Sequence, residues 1–284
     1  MAIVIQGPVK TIDEFTFETI KLYKQNFPEA IIILSTWNDE SKIVLSRIEN
    51  LGVVVLKNKK PKYAGISHVN YQIASSKQGM KKAKELGAEY AIKTRTDQRM
   101  YATNIEEYLF NMLNLFPLDK SIKKQQKRII GVSLNTFKYR MYGLSDMFTY
   151  GCIDDMMLFW GTEHDTRFIE KKDKVKARLS LRNFSQMRIC EVYLTTEFLK
   201  NINRSINWTL EDSWRVLSDH FCIIDKDSLD LFWDKYTLSE DRWKDYSDEV
   251  NIYEEFNFKD WLNIYNMKSG YTYPELILDK PLRS

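Results

Sequence analysis

The sequence has 284 residues, of which 44% are hydrophobic, 13% aromatic and 29% charged, with a formal net charge of +3. This composition excludes a disordered chain and suits one large α/β domain with a substantial core. The near balance of charge does not favour a nucleic-acid partner. Three widely spaced cysteines without a CxxC pair argue against a disulfide framework or a zinc site, and favour a reducing compartment.

No apolar stretch reaches the roughly 20 residues that span a bilayer. Because the chain opens directly into the apolar run 2–5, we expect no secretory segment and a cytoplasmic protein. The basic run Lys57, Lys59, Lys60 and Lys62, and a second run over 171–178, predict solvated faces. Either run can instead meet an anionic acceptor or the inner face of the inner membrane.

The first hundred residues alternate between strand and helix patterns. Apolar runs predict strands at 2–5, 30–34 and 53–56, and a less apolar run predicts a fourth at 88–93. Helical spacing predicts a first helix from the N-cap Asp13 up to Pro28, a second over 41–50 and a third over 70–86. Gly87 is the expected stop of the third helix. This alternation predicts a mostly parallel central sheet with helices on both faces.

The second half of the sequence is less regular. Strands are predicted at 129–133, 148–151 and 156–160, the last two flanking Asp154 and Asp155. Helices are predicted at about 184–200 and 257–266.

Ligands of parallel sheets bind outside the carboxyl ends of the strands, so the polar residues at three strand ends are the first candidates. Gly7 permits a close backbone approach, although Gln6-Gly7-Pro8 also fits an ordinary turn. The segment Thr36-Trp37-Asn38-Asp39 offers an aromatic plate and polar groups for a base and a ribose, or a loop tryptophan that covers the core. The third strand end is Arg95-Thr96-Asp97.

Asp97 is the leading single candidate, because it follows a strand and lies among Lys93, Arg95 and Arg99. Its carboxylate can ligate a divalent cation that bridges a pyrophosphate, while the cations can neutralise a phosphate leaving group directly. The alternative is a surface cluster of ion pairs.

Three further carboxylates are candidates for acid–base chemistry: Glu191, Asp146 and Asp155. The alternatives are turns for the aspartates and a solvated helix face for Glu191. GxGxxG, P-loop, GxSxG and HExxH motifs are absent from the sequence, which disfavours dinucleotide oxidoreductases, P-loop NTPases, α/β-hydrolases and zincins.

Several of these segments resemble the WavE lipopolysaccharide-synthesis family over roughly residues 3–235. The most specific motifs are Ile3-Val4-Ile5-Gln6-Gly7-Pro8, Phe27-Pro28-Glu29-Ala30, Ile33-Leu34-Ser35-Thr36-Trp37, Asn70-Tyr71-Gln72 with Ser75-Ser76, and Lys93-Thr94-Arg95-Thr96-Asp97. Later motifs are Ser145-Asp146-Met147-Phe148 with Gly151, Glu191-Val192-Tyr193-Leu194 and Phe221-Cys222-Ile223-Ile224.

The resemblance implies a GT-A-like nucleotide-diphospho-sugar transferase fold. Residues 1–235 would form the catalytic domain, with a nucleotide-binding half at about 1–100 and an acceptor half at about 101–235, and residues 236–284 would be a helical, aromatic-rich C-terminal extension packed on it. The implied function is a bacterial glycosyltransferase that moves a sugar from a nucleotide-sugar donor to an acceptor glycan or glycolipid of lipopolysaccharide or capsule. The alternatives are a sugar-phosphate nucleotidyltransferase and a non-catalytic nucleotide- or glycan-binding partner in polysaccharide assembly.

The resemblance also assigns site residues. The donor would be held by Gln6, Gly7, Pro8, Thr36, Trp37, Asn38, Asp39, Asn70, Gln72, Lys93, Arg95, Asp97 and Arg99. The usual Asp-x-Asp motif is incomplete, because arginines stand two residues to each side of Asp97. Asp97 alone is therefore expected to hold Mg²⁺ or Mn²⁺, or else the neighbouring cations act without a metal. Glu191 is the first choice as the base of an inverting reaction, Asp146 the second and Asp155 the third.

Overall fold

The computed structural model describes residues 1–167, 179–234, 254–267 and 272–281. The strands are β1 (Ala2–Gln6), β2 (Ile31–Trp37), β3 (Val54–Asn58), β4 (Tyr90–Arg95), β5 (Gln98–Met100), β6 (Ile129–Val132), β7 (Thr149–Cys152), β8 (Phe221–Ile224) and β9 (Leu231–Trp233). The helices are α1 (Phe15–Asn26), α2 (Lys42–Glu49), α3 (Val69–Glu85), α4 (Ile105–Leu115), α5 (Ile153–Trp160), α6 (Leu181–Gln186), α7 (Cys190–Asn201), α8 (Leu210–His220) and α9 (Phe258–Asn266).

A seven-stranded sheet with the order β3-β2-β1-β4-β7-β6-β8 forms the centre of the fold. Strand β7 runs antiparallel to β4 and β6, and the other strands of this sheet run parallel to one another. This arrangement confirms the predicted α/β class and the mostly parallel sheet. A separate two-stranded sheet pairs β5 with β9.

Helix α3 packs closely against β1 because a glycine, Gly79, faces that strand. A Cβ atom added at Gly79 of α3 would lie 2.2 Å from the Cγ1 atom of Val4, so only glycine permits this approach of α3 to β1.

In the C-terminal part, the indole nitrogen of Trp261 in α9 donates hydrogen bonds to the carbonyls of Leu217 and Phe221. The predicted helix near 257–266 is confirmed.

Three predictions about elements are wrong. The predicted strand at Met156–Trp160 is helical and belongs to α5, where Met156, Phe159 and Trp160 are the buried residues at helical spacing. Periodicity does not separate a strand from a helix in so short an apolar run. Asp13 does not cap α1, because it has a φ of 50° inside a 3₁₀ turn and α1 begins at Phe15.

The third wrong prediction is the single helix over 184–200, which is divided into α6 and α7. Arg188 between them has a φ of 51°, which a continuous helix does not allow. Within the described ranges, no helix is long and apolar enough to cross a bilayer. The second basic run, 171–178, lies outside the described residues, and so does about half of the expected extension 236–284.

Strands β1, β2 and β4 end together at one edge of the sheet. Gln6, the last residue of β1, is in register with Ser35 of β2 on one side and with Arg95 of β4 on the other. The polar segments that follow these strands therefore meet at this edge.

Candidate functional site

A cleft of about 900 Å³ lies over the carboxyl ends of β1, β2 and β4. Residues from both halves of the chain line it, so the cleft joins the predicted nucleotide-binding segments to the carboxylates of the second half. Sequence-predicted residues that line it are Gln6, Gly7, Pro8, Trp37, Gln72, Arg95, Asp97, Asp146 and Glu191.

The floor of the cleft is fixed by the turn after β1. Gly7 has a φ of 121°, and a Cβ atom placed there would lie 2.8 Å from Oγ1 of Thr96. The amide of Thr96 donates to the carbonyl of Gln6 at 3.0 Å, and the side chain of Gln6 accepts from Ser75 at 2.9 Å. Glycine is therefore required at position 7 both for its backbone conformation and for the close contact with the loop after β4.

Asp97 forms a bidentate ion pair with Arg95. The Nε atom of Arg95 donates to Oδ1 at 2.8 Å and its Nη2 atom donates to Oδ2 at 2.9 Å. The indole nitrogen of Trp233 in β9 also donates to Oδ2, at 3.1 Å. Burial alone would raise the pKa of Asp97, but the hydrogen bonds and charge of Arg95 outweigh it and hold that pKa below its ordinary value.

These contacts do not fit Asp97 as the ligand of a divalent cation. Both of its oxygens are occupied by Arg95, whose charge repels a metal ion. In the part of the chain that the structure describes, no group of three or more His, Cys, Asp or Glu side chains could hold a metal. The donor set at Asp97 therefore suits a guanidinium.

Asp146 lies in a buried polar network beneath the cleft. Its carboxylate accepts from Nε2 of Gln72 and from the thiol of Cys190, the latter at 3.0 Å. The ammonium of Lys93, fully buried, donates to the carbonyl of Asp146 and to Oε1 of Gln72. Burial lowers the pKa of Lys93 to about 7. Burial alone would raise the pKa of Asp146, but the positive charges of Lys93 and Arg95 outweigh this effect and lower that pKa.

Glu191 lies in the first turn of α7 and faces the cleft from the opposite half of the chain. It is only 8% exposed. Its Oε1 atom accepts from Nδ2 of Asn135 and lies 3.5 Å from Nη1 of Arg140. Burial raises the pKa of Glu191, and Arg140 opposes that rise without cancelling it. A carboxylate with a raised pKa is a better proton acceptor near neutral pH than an exposed one.

Aromatic rings surround the end of β2. Trp37 packs edge-on against Tyr71 with 5.6 Å between ring centroids, and His68 lies parallel to Tyr71 at 6.0 Å. The ammonium of Lys60 lies 6.0 Å from the Trp37 ring and pairs with Asp39 at 2.6 Å. Trp37 is only 4% exposed, which favours the interpretation that it covers the core, whereas the half-buried Tyr71 offers apolar surface for a base with the Lys60 cation nearby.

Other sequence-predicted residues do not line the cleft. Thr36 donates to Glu40, and the amide of Asn38 donates to Asn58. Asn70 exchanges hydrogen bonds with the backbone of Asp165. The guanidinium of Arg99 lies 4.4 Å from the Phe15 ring and donates to Thr19, away from Asp97.

Asp155 also lies outside the cleft. Its carboxylate accepts from the amides of Gln126 and Lys127, at 2.9 and 2.8 Å, and from the thiol of Cys152. These contacts tie α5 to the segment before β6. They give Asp155 a structural role, although burial raises its pKa as it does that of Glu191.

Several residues of the cleft have no signal in the sequence. Asn135 and Arg140 follow β6 in a segment that matches no motif, and Trp233 is one of several C-terminal aromatic residues that suit a core equally well. Two apolar rings, Phe137 and Phe184, also line the cleft. Only the fold identifies these residues, because each reaches the cleft from a distant part of the chain.

The sequence profile of the family described as WavE lipopolysaccharide synthesis matches residues 1–280. Curated protein sequences give no significant match. Among solved structures, a Desulfovibrio desulfuricans G20 protein assigned as a nucleotide-diphospho-sugar transferase is 10% identical and has a TM-score of 0.37, with 71% of this chain and 76% of that one covered.

Two more solved structures are similar at the same low level. S. aureus TarS 1–349 in complex with UDP is 10% identical, with a TM-score of 0.38 and coverage of 77% of this chain and 64% of that one. A Bacillus anthracis protein assigned as a glucose-1-phosphate thymidylyltransferase is 10% identical, with a TM-score of 0.34 and coverage of 72% and 96%. Similarity at this level shows neither a shared activity nor a shared ligand.

Proposed function

The chain belongs to the WavE lipopolysaccharide-synthesis family, and we propose that it is a glycosyltransferase which moves a sugar from a nucleotide-sugar donor to an acceptor hydroxyl. One observation carries this proposal. A single cleft holds a buried carboxylate of raised pKa, Glu191, and a guanidinium, Arg95, at the carboxyl edge of a parallel sheet. Glycosyl transfer needs a base for the acceptor and a cation for the leaving phosphate.

The donor is assigned to the strand ends. Tyr71, half-buried and packed against the buried Trp37, gives the base an apolar ring, and the turn at Gly7 lines the same cleft, where its backbone can meet the ribose and the phosphates. Arg95 supplies the positive charge that the diphosphate needs, because its guanidinium faces the same cleft.

In the proposed reaction, the Glu191 carboxylate takes the proton of the acceptor hydroxyl while the hydroxyl oxygen bonds to the anomeric carbon. The bond from that carbon to the phosphate oxygen breaks, and the nucleoside diphosphate leaves with the bonding electrons. Arg95 stabilises the charge that develops on the phosphate. Asp146 is the second choice as base, but Gln72 and Cys190 already donate to its carboxylate and its pKa is lowered.

We assign the acceptor, a glycan or glycolipid of lipopolysaccharide or capsule, to the side of the cleft near Glu191. Phe137 and Phe184 line the same cleft, and aromatic rings provide apolar surface on which sugar rings pack. The exposed lysines of the run 57–62 adjoin the cleft through Lys60. They suit an anionic glycolipid met at the inner face of the inner membrane.

The direct test is turnover. The purified protein is incubated with UDP-, GDP-, ADP- and TDP-sugars, with and without lipopolysaccharide core acceptors, and the released nucleotide is identified. We expect a nucleoside diphosphate from one donor class, slowly by hydrolysis alone and faster with acceptor. Pyrophosphate release from a nucleoside triphosphate and a sugar phosphate would assign a nucleotidyltransferase instead. Donor binding without any turnover, including hydrolysis, would assign a non-catalytic assembly partner.

A further inference from the structure

We infer that Arg95, held in place by Asp97 and Trp233, binds the donor diphosphate directly, and that Asp97 holds this guanidinium and not a metal ion. The inference rests on the glycosyltransferase proposed above and specifies how that enzyme stabilises its leaving group. In this arrangement Asp97 is a positioning residue that acts through Arg95.

The lone pairs of Asp97 are largely used. An ionised carboxylate has about four acceptor positions. Arg95 fills one on each oxygen, and the indole of Trp233 fills a second one on Oδ2. A cation that approached the remaining position would face the Arg95 guanidinium at close range. Such a site disfavours Mg²⁺, which is bound through carboxylates in near-ideal octahedral geometry.

Arg95, in contrast, has donors left over. A guanidinium carries five N–H groups, and Asp97 takes one from Nε and one from Nη2. In the described part of the chain, the Nη1 atom donates no hydrogen bond to the protein, and Arg95 lines the cleft. The planar fork of arginine matches two phosphate oxygens, so these donors suit a diphosphate.

The position of Arg95 is preset by β9. The Trp233 ring lies 5.7 Å from the guanidinium carbon of Arg95, and the amide of Asp234 donates to the carbonyl of Asp97 at 3.0 Å. Strand β9 pairs with β5, which begins at Gln98, directly after Asp97. This pairing holds Trp233 and Asp234 beside Asp97. Because the guanidinium is held before the donor arrives, less conformational entropy is lost when the diphosphate binds.

The inference is tested by calorimetric titration of UDP, GDP, ADP and TDP into the full chain, once in EDTA and once in Mn²⁺. For the nucleotide that binds, we expect dissociation constants within about threefold of each other under the two conditions. Arg95→Ala weakens that binding by about tenfold or more in EDTA. Asp97→Asn weakens binding by less than Arg95→Ala and by the same factor in EDTA and in Mn²⁺, because it loosens the hold on Arg95 but keeps the guanidinium.

The matched control is Arg47→Gln, which removes a guanidinium paired with Glu14 at 2.8 Å outside the cleft and should not alter binding. Binding of wild type that appears only with Mn²⁺, or that Asp97→Asn abolishes, would overturn this inference and leave the glycosyltransferase standing. Absence of binding for all four nucleotides in both conditions would overturn both proposals. The two wild-type titrations do not depend on the folding of any variant.

Discussion

Glu191, at the start of α7, accepts a hydrogen bond from Asn135, which follows β6. The two residues are 56 positions apart, and their contact closes the wall of the cleft opposite the ends of β1 and β2. Arg140 donates to Asn135 and lies beside Glu191, so the carboxylate is held by two neighbours from one segment. This geometry supports the proposal that Glu191 is the general base.

Replacement of Glu191 by glutamine should remove proton transfer without removing the donor site. Because a positioned general base contributes roughly 10²–10⁴-fold, we expect kcat to fall by about 100-fold or more. Nucleotide affinity should stay unchanged, since Glu191 lies on the acceptor side. The measurement is turnover alongside calorimetric binding, and Asp155→Asn is the comparison, because it should reduce stability rather than the rate per folded molecule. Full turnover by Glu191→Gln would exclude this residue as the base.

The pH dependence of kcat/KM should report the raised pKa of Glu191 in the free enzyme. The base must be ionised, so kcat/KM rises with pH through an acidic limb that lies above the ordinary glutamate value of 4.5. Arg140 lowers that pKa, and Arg140→Gln should therefore move the limb to higher pH. A merely structural role for Arg140 would lower the rate equally at every pH and leave the limb where it is.

Lys93 should make stability depend on pH in the neutral to alkaline range. Its pKa in the folded state is about 7, below the ordinary 10.5, because burial disfavours the ammonium. Between these two values the unfolded chain binds more protons, so this residue's contribution to the free energy of unfolding increases as pH rises. Relative to Lys93→Met, we expect the wild type to gain about 2 kcal/mol between pH 7 and 9.

Urea denaturation of both proteins at several pH values measures this difference. The comparison with Lys93→Met cancels the thiols and tyrosines that titrate in the same range. A difference between the two proteins that does not change from pH 7 to pH 9 would mean that Lys93 keeps an ordinary pKa in its buried site.

Gly7→Ala should destabilise the turn after β1. The φ of 121° and the contact with Thr96 are both unfavourable to a Cβ atom. Gly87 is the matched control, because it has a φ of 85° but nothing within 4 Å of an added Cβ atom. We expect about 1 kcal/mol of destabilisation for Gly87→Ala and at least about 1 kcal/mol more for Gly7→Ala, measured by urea denaturation. Equal effects would show that the Thr96 contact relaxes freely.

The N-terminal half of the fold follows closely from the sequence. Residues 2–5 of β1 and 31–34 of β2 are continuously apolar because helices cover both faces of the sheet, and Gly87, with its positive φ, ends α3 as expected. The polar strand ends Gln6 and Arg95 lie in register at one edge. The carboxyl ends of neighbouring parallel strands lie at the same edge of a sheet, and this does not depend on the conformation of the loops that follow them.

The second half follows less well, because its elements are defined by tertiary contacts. Met156–Trp160 has strand-like composition, and only the burial of its residues at helical spacing reveals the helix α5. Asn135, Arg140 and Trp233 reach the cleft from loops and from a three-residue strand whose pattern is too short to read. The spacing of Arg95 and Asp97 in the sequence allows an ion pair between them, but it equally allows Asp97 to be a metal ligand. Only the contacts of its two oxygens in the structure decide between these roles.

The most direct test of the central claim is a crystal structure of the protein with the nucleoside diphosphate that binds it. We predict the base beside Tyr71, the diphosphate against Arg95, and an open space next to Glu191 for the acceptor hydroxyl. A nucleotide bound elsewhere, or in this cleft with its phosphates away from Arg95, would contradict the account.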